Sequence, residues 1–125
     1  MKKLLLTTLL CFCVSAYAFN WKKLFESSDG SSFYIDIDSI KKINQTVYYW
    51  QLLDMIEPID NVNSQTNKYK VDCVEEKQTT LSLTHYSQPM GKGNILGEST
   101  TRRIGYPEPD SVNYGVMQYA CDNAK

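Results

Sequence analysis

Apolar and polar residues alternate with a period of two through much of this chain, which commits it to strands with one buried face. In "FYIDI" (33–37), Phe33, Ile35 and Ile37 share a face, with Tyr34 and Asp36 on the other. In "KYKVDCVEE" (68–76) the inward set is Tyr69, Val71 and Cys73, and in "TTLSLTHYS" (79–87) it is Leu81, Leu83 and His85. "TVYYWQLLD" (46–54) is dense in β-branched and aromatic residues, as a central strand would be. "FNWKKLFES" (19–27) supplies a first strand, and "ILGESTTRRI" (95–104) a last one at an edge.

The connections are legible from turn chemistry. Residues 28–32 form a turn in which Gly30 is free to adopt positive φ, and 88–94 form a glycine-rich turn. Residues 38–44 are a short helical turn or a hairpin connection. Pro58 and an Asn-rich polar run predict a long hairpin loop over 55–67, whereas the short link "EKQ" (76–78) predicts an antiparallel hairpin. Near the end, Asp110-Ser111 is a helix-start signal. Val112, Val116, Tyr119 and Ala120 then recur at helical spacing, with Cys121 at the margin of that face. Gly115 weakens this short helix by about 1 kcal/mol relative to alanine. The predicted fold is α+β: an antiparallel β-sheet of about six strands with a C-terminal α-helix packed on it.

The first residues set the compartment. Lys2 and Lys3 precede an apolar run over 4–14, and Ala16-Tyr17-Ala18 offers small residues for cleavage. This is the pattern of a secretory signal peptide over residues 1–18, with a mature domain over 19–125 beginning at Phe19. Cys11 and Cys13 follow Leu10 and Phe12 rather than a small residue, which argues against lipid attachment. Lys2 and Lys3 are the only charged residues of the leader, so removing it takes the net charge from −1 to −3. An acidic balance argues against nucleic acid or an anionic membrane as partner, because both require a basic face. No later stretch is long and apolar enough for a transmembrane segment.

Cleavage would leave two cysteines, Cys73 and Cys121, in an oxidising compartment. A disulfide between them would tie a helix too short to hold its place by propensity alone. The rivals are weaker. A nucleophilic Cys73 would need His85, the only histidine, as its base, and no nucleophile signature surrounds it. A zinc site needs four ligands where two cysteines and one histidine are on offer. The remaining polar features have structural readings. Asp36 and Asp38 stand two apart, but turn chemistry accounts for Asp38. "DMIEPIDNVN" (54–63) lacks the alternating ligands and glycine of a calcium loop. The mature chain's eight tyrosines suit strands as well as a recognition surface. "TRR" (101–103) is a small basic spot that either protects an edge or meets an acidic partner. Neither an enzyme nor a cofactor or metal site is expected.

Several motifs together resemble the surface-adhesin protein E family of small exported Gram-negative proteins. They are "FYIDIDSI", the aromatic strand in which Trp50 leads to "LLD", then "VDC" with a hydrophobic hairpin behind it, and a late single cysteine. The similarity runs from Trp21 to Cys121. Tyr34 and Asp36 match the family's "YID" strand, Trp50 its strand tryptophan, and Cys73 and Cys121 its disulfide. The resemblance implies an antiparallel sheet with a C-terminal helix held by that bond. It also implies a homodimer at the cell surface that binds host matrix proteins such as vitronectin and laminin, and plasminogen. It assigns the adhesive contact to no residue of this chain. The expectation is therefore an exported, non-catalytic binding module, in the periplasm, at the outer-membrane surface or secreted. The alternative is a periplasmic protein that binds an envelope component or, like a lysozyme inhibitor, blocks an enzyme.

Overall fold

The computed structural model describes residues 18–125, so the predicted leader lies outside the described residues apart from Ala18. Six strands form a continuous antiparallel meander: β1 (Trp21–Glu26), β2 (Ser32–Asp36), β4 (Thr46–Ile59), β5 (Val62–Asp72), β6 (Lys77–Gln88) and β7 (Lys92–Ser99). Two three-residue strands bring the sheet to eight: β3 (Lys41–Ile43) pairs with β4, and β8 (Arg103–Gly105) with β6. The expected six strands are the main path, and the two additions are local. Of the two readings for 38–44 the hairpin is the one formed, closed at Asn44 in a left-handed conformation (φ 56°). The expected last strand over 95–104 is split, because β6 is long enough to pair with β7 over Leu83–Gln88 and β8 over Gln78–Thr80.

Cross-strand register sorts the side chains into two faces. Ile35, Gln51 and Asn67 stand in one row, and Val47, Val71 and Gln78 in another on the same face. That face receives the single α-helix among the described residues, α1 (Val112–Asn123), whose Val116, Met117 and Ala120 are fully buried against Ile35, Val47, Tyr49, Tyr69 and Val71. The helix face therefore centres on Met117, while Val112 and Tyr119 flank it half-buried. Ser111 caps the helix, its Oγ accepting from the Tyr114 N–H at 3.1 Å. A buried polar link docks the first turn: Gln78 Nε2 donates to the Tyr49 hydroxyl at 2.6 Å, and Asn113 Nδ2 donates to Gln78 Oε1 at 2.9 Å. The last residue is tied too, since the Lys42 N–H donates to the Lys125 carbonyl at 3.1 Å.

Gly115 has a use that propensity alone does not reveal. A Cβ there would lie 2.8 Å from Cζ and 2.9 Å from Cε2 of Phe25, so the missing side chain lets the helix approach β1. The opposite face of the sheet is covered in part by a single 3-10 turn, Pro89–Gly91, seated over Leu52 and Thr66.

Candidate binding surface

Cys73 and Cys121 form a disulfide with a Cα–Cα distance of 6.0 Å. Cys73 is not at the inward strand position that alternation predicted. β5 ends at Asp72, and Cys73 opens the turn to β6. That turn is organised by Asp72, whose Oδ1 accepts from the N–H groups of Val74 (3.0 Å) and Glu75 (3.1 Å). The bridge thus joins the end of a helix to a hairpin turn. His85 is remote from it: it pairs across the ladder with Gln65, seven residues along β5 from Asp72, or roughly 23 Å at strand rise. Its Nε2 lies 3.1 Å from Gln65 Oε1, a packing role. β6 also carries a bulge, because Tyr69 faces Thr80 and Lys68 faces Ser82, leaving Leu81 out of the register.

The other sequence candidates resolve into structural parts. Asp36 is buried at 3% exposure, and its Oδ1 accepts from the Asn20 N–H at 2.9 Å and the Asp38 N–H at 3.3 Å. Asp38 in turn accepts from Asn20 Nδ2 at 3.2 Å, so the two carboxylates hold the residue that precedes β1 against a turn. Among the described residues no cluster of histidine, cysteine, aspartate and glutamate could hold a metal ion. Trp50 and Phe19 meet in an edge-type arrangement, centroids 5.4 Å apart, with the Lys68 ammonium 5.7 Å from the Trp50 ring centre. Tyr49 and Tyr69 belong to the core, with rings 5.4 Å apart. Burial raises both phenol pKa values, that of Tyr69 to about 12.

The segment expected to be a long loop contains the most distinctive surface. β4 continues to Ile59 and β5 begins at Val62, joined by Asp60 and Asn61 with φ of 50° and 66°. Positive φ at both central residues is the two-residue hairpin turn that Asp and Asn favour. Below it the ladder passes from Asp54↔Ser64 to Ile59↔Val62, so four residues of β4 stand where β5 has one. Met55–Pro58 bulge outward, and Pro58, with no N–H for a ladder, is accommodated there. Ile56 and Ile59 remain 64% and 65% exposed.

The bulge is buttressed on both sides. Its Ile56 N–H donates to Ser31 Oγ at 3.3 Å, and a Cβ on Gly30 (φ 91°) would meet Ile56 Cδ1 at 2.8 Å. Behind it, Asp54 Oδ1 accepts from the Met90 N–H at 2.9 Å. The fully buried Ser64 Oγ donates to the Gln88 carbonyl at 2.6 Å and accepts from the Gly91 N–H at 2.8 Å. A groove of about 470 Å³ runs between the bulge and the 27–31 turn, floored by Phe33 and Leu53. At its rim the Asp29 carboxyl is held below the usual range by the Ser27 hydroxyl and the Ser31 N–H.

The model of one family, surface-adhesin protein E, matches residues 21–122. The chain belongs to the surface-adhesin protein E family. Solved structures of Haemophilus influenzae protein E share its fold. Crystal form II superposes with a TM-score of 0.66 at 20% identity, covering 82% of this chain and 87% of that one. The selenomethionine form gives 0.65 at 19% identity, covering 86% and 94%. The protein E structure from a non-typeable strain gives 0.61 at 19% identity, covering 85% and 86%. No curated protein sequence matches this chain. Membership in this family makes the chain a surface adhesin of an exported, cell-surface class whose business is binding protein ligands. No helix among the described residues is long and apolar enough to cross a membrane. The exposed apolar bulge was missed by sequence reasoning, although Ile56 and Ile59 within a polar run, with Asp60-Asn61 after them, carried the signal.

Proposed function

We propose that the chain is exported through a cleaved leader over residues 1–18. The domain over 19–125 then acts as a non-catalytic adhesin for a host matrix protein of the vitronectin, laminin or plasminogen kind. The bulge Met55–Ile59 and the groove beneath it form the contact. The observation that carries this reading is the pair of exposed isoleucines on a buttressed strand. Exposed apolar groups that the fold holds in place, with polar rims, are the form binding patches take. Because Ser31, Asp54 and Ser64 fix the bulge from both sides, little ordering entropy remains to be lost on docking. Homodimerisation, implied by the family, is part of the proposal, and light scattering that finds monomer alone at high micromolar concentration removes it.

The test is binding of the purified exported protein to immobilised vitronectin, laminin and plasminogen. Ile56→Asp and Ile59→Asp are expected to weaken binding by about tenfold or more each while leaving the melting transition intact. A parent that binds none of the three, or variants that bind as the parent does, overturns the proposal. Protease treatment of intact cells is expected to clip the protein. Intact mass is expected to place its start at Phe19 without an acyl group.

A further inference from the structure

The net acidic balance hides a segregation of charge. On the face away from the helix, register sets Thr46, Asp72 and Lys77 in one row, and Lys41, Tyr48, Lys70, Thr79 and Ile104 in the next. Lys68 follows beside Trp50. At the centre of this region is a cavity of about 350 Å³ lined by Thr46, Lys70, Asp72, Lys77, Thr79 and Arg102. Lys70, Lys77 and Arg102 come from β5, β6 and the approach to β8, so three separate segments each bring a cation to one space. Lys70 and Lys77 are diagonal neighbours across the ladder, a separation that long side chains span. None of the three has an ion-pair partner among the described residues, where the one pair is Lys23 with Glu26. Asp72 is the one carboxylate in the lining, and its Oδ1 is already engaged by two backbone N–H groups of the turn.

From this arrangement we infer that the cavity is a second binding site, specific for a sulfated sugar of an anionic glycan. Three unpaired cations and the Thr46 and Thr79 hydroxyls around one space offer donors from several directions. That matches the three terminal oxygens of a sulfate ester better than it matches a planar carboxylate. Tyr48, directly opposite Lys70, extends the site with a ring on which a sugar face can stack. Lys41 and Lys68 continue the positive strip for the neighbouring anionic units. The volume is of the size that small-molecule sites take. The site is separate from the Met55–Ile59 bulge and does not rest on its role.

The test uses the purified exported protein and a heparin-derived octasaccharide, with the same oligosaccharide after chemical desulfation and with poly-glutamate as comparators. The sulfated sugar is expected to bind at low salt and to weaken as salt rises. Desulfation is expected to cost about tenfold or more. Lys70→Gln, Lys77→Gln and Arg102→Gln, which keep most of each stem, are each expected to weaken binding by about threefold to tenfold. Lys42→Gln removes the same charge from the helix side of the sheet and is expected to leave binding unchanged. Four results overturn the inference: no binding of the octasaccharide, equal binding after desulfation, equal binding of poly-glutamate, or an equal loss in Lys42→Gln.

Discussion

Removing the Cys73–Cys121 bridge is the sharpest perturbation of this fold, because the chain it closes contains β6, β7, β8 and most of the helix. The cysteines are 48 residues apart in sequence, and for a loop of that length the chain-entropy model gives about 4 kcal/mol of stabilisation. The bond acts mainly on the unfolded chain, so its loss need not release the helix from the sheet. The burial of Val116, Met117 and Ala120, the Ser111 cap, the Gln78–Asn113 link and the Lys42–Lys125 bond are all made by residues other than the two cysteines. Cys73→Ser, Cys121→Ser and the double variant are therefore expected to keep native far-UV and near-UV spectra. All three should lose the same roughly 2–5 kcal/mol in urea unfolding. The denaturant slope should rise, because the uncrosslinked chain exposes more surface when it unfolds. For a domain of this size the melting temperature should fall by roughly 10–30 °C. Single variants that differ from the double by more than about 1 kcal/mol would refute the shared-bond reasoning. Helical signal lost ahead of the sheet transition would show that the non-covalent docking of the helix had been overestimated.

Other expectations follow from the packing. Burial raises the Tyr49 and Tyr69 phenols above their ordinary value of 10.0, so between pH 10 and about 12 the unfolded chain releases protons that the fold retains. Their stabilising contribution is complete below pH 10 and shrinks above it, by about 1.4 kcal/mol per pH unit for each tyrosine once the unfolded phenol is ionised. The tyrosinate absorbance that belongs to Tyr49 and Tyr69 should appear only together with cooperative alkaline unfolding, and ionisation of these two phenols near pH 10 in the folded protein contradicts this. Gly115→Ala gains about 1 kcal/mol of helix propensity but forces the Phe25 ring to move, at a cost of about 1–3 kcal/mol. The net is expected to be destabilising, with Phe25→Ala restoring the propensity gain in a double-mutant cycle. Ser64→Ala leaves the Gln88 carbonyl and the Gly91 N–H without their partner and should cost about 1–3 kcal/mol in thermal or urea unfolding.

The parts of the fold legible in the sequence are those whose burial is apolar. Ile35, Val47, Tyr49, Tyr69 and Val71 obey alternation because one helix covers that face, and Ser111 announces that helix through its capping chemistry. The first half of β5 was illegible for the opposite reason. Ser64, Thr66 and Asn67 are buried polar residues, and Ser64 is satisfied by a 3-10 turn that pattern reading cannot place against it. Cys73 slipped from strand to turn because Asp72 is drawn into capping that turn. The binding surface was less legible still. Neither the support of the Met55–Pro58 bulge by Ser31 and Met90 nor the approach of Arg102 to Lys70 and Lys77 is local in sequence.

Stability and display are placed at different ends of the same ladder. β4 and β5 are paired without interruption from Thr46↔Asp72 to Asp54↔Ser64. One end lies under the helix and beside the bridged turn, where the buried apolar side chains cluster. The other end carries the bulge, and there the work of holding shape falls to Ser31, Asp54 and Ser64. Polar anchoring suits that end, because apolar anchoring would draw Ile56 and Ile59 inward and remove the surface they present. The consequence is separable. Loss of the bridge should lower global stability and leave affinity for a protein ligand nearly unchanged, since no residue of the bulge depends on it. Ser64→Ala should loosen the support of the bulge and weaken binding as well as stability. If both variants reduce affinity in proportion to the stability they lose, the two ends are not independent and the bulge has no anchoring of its own.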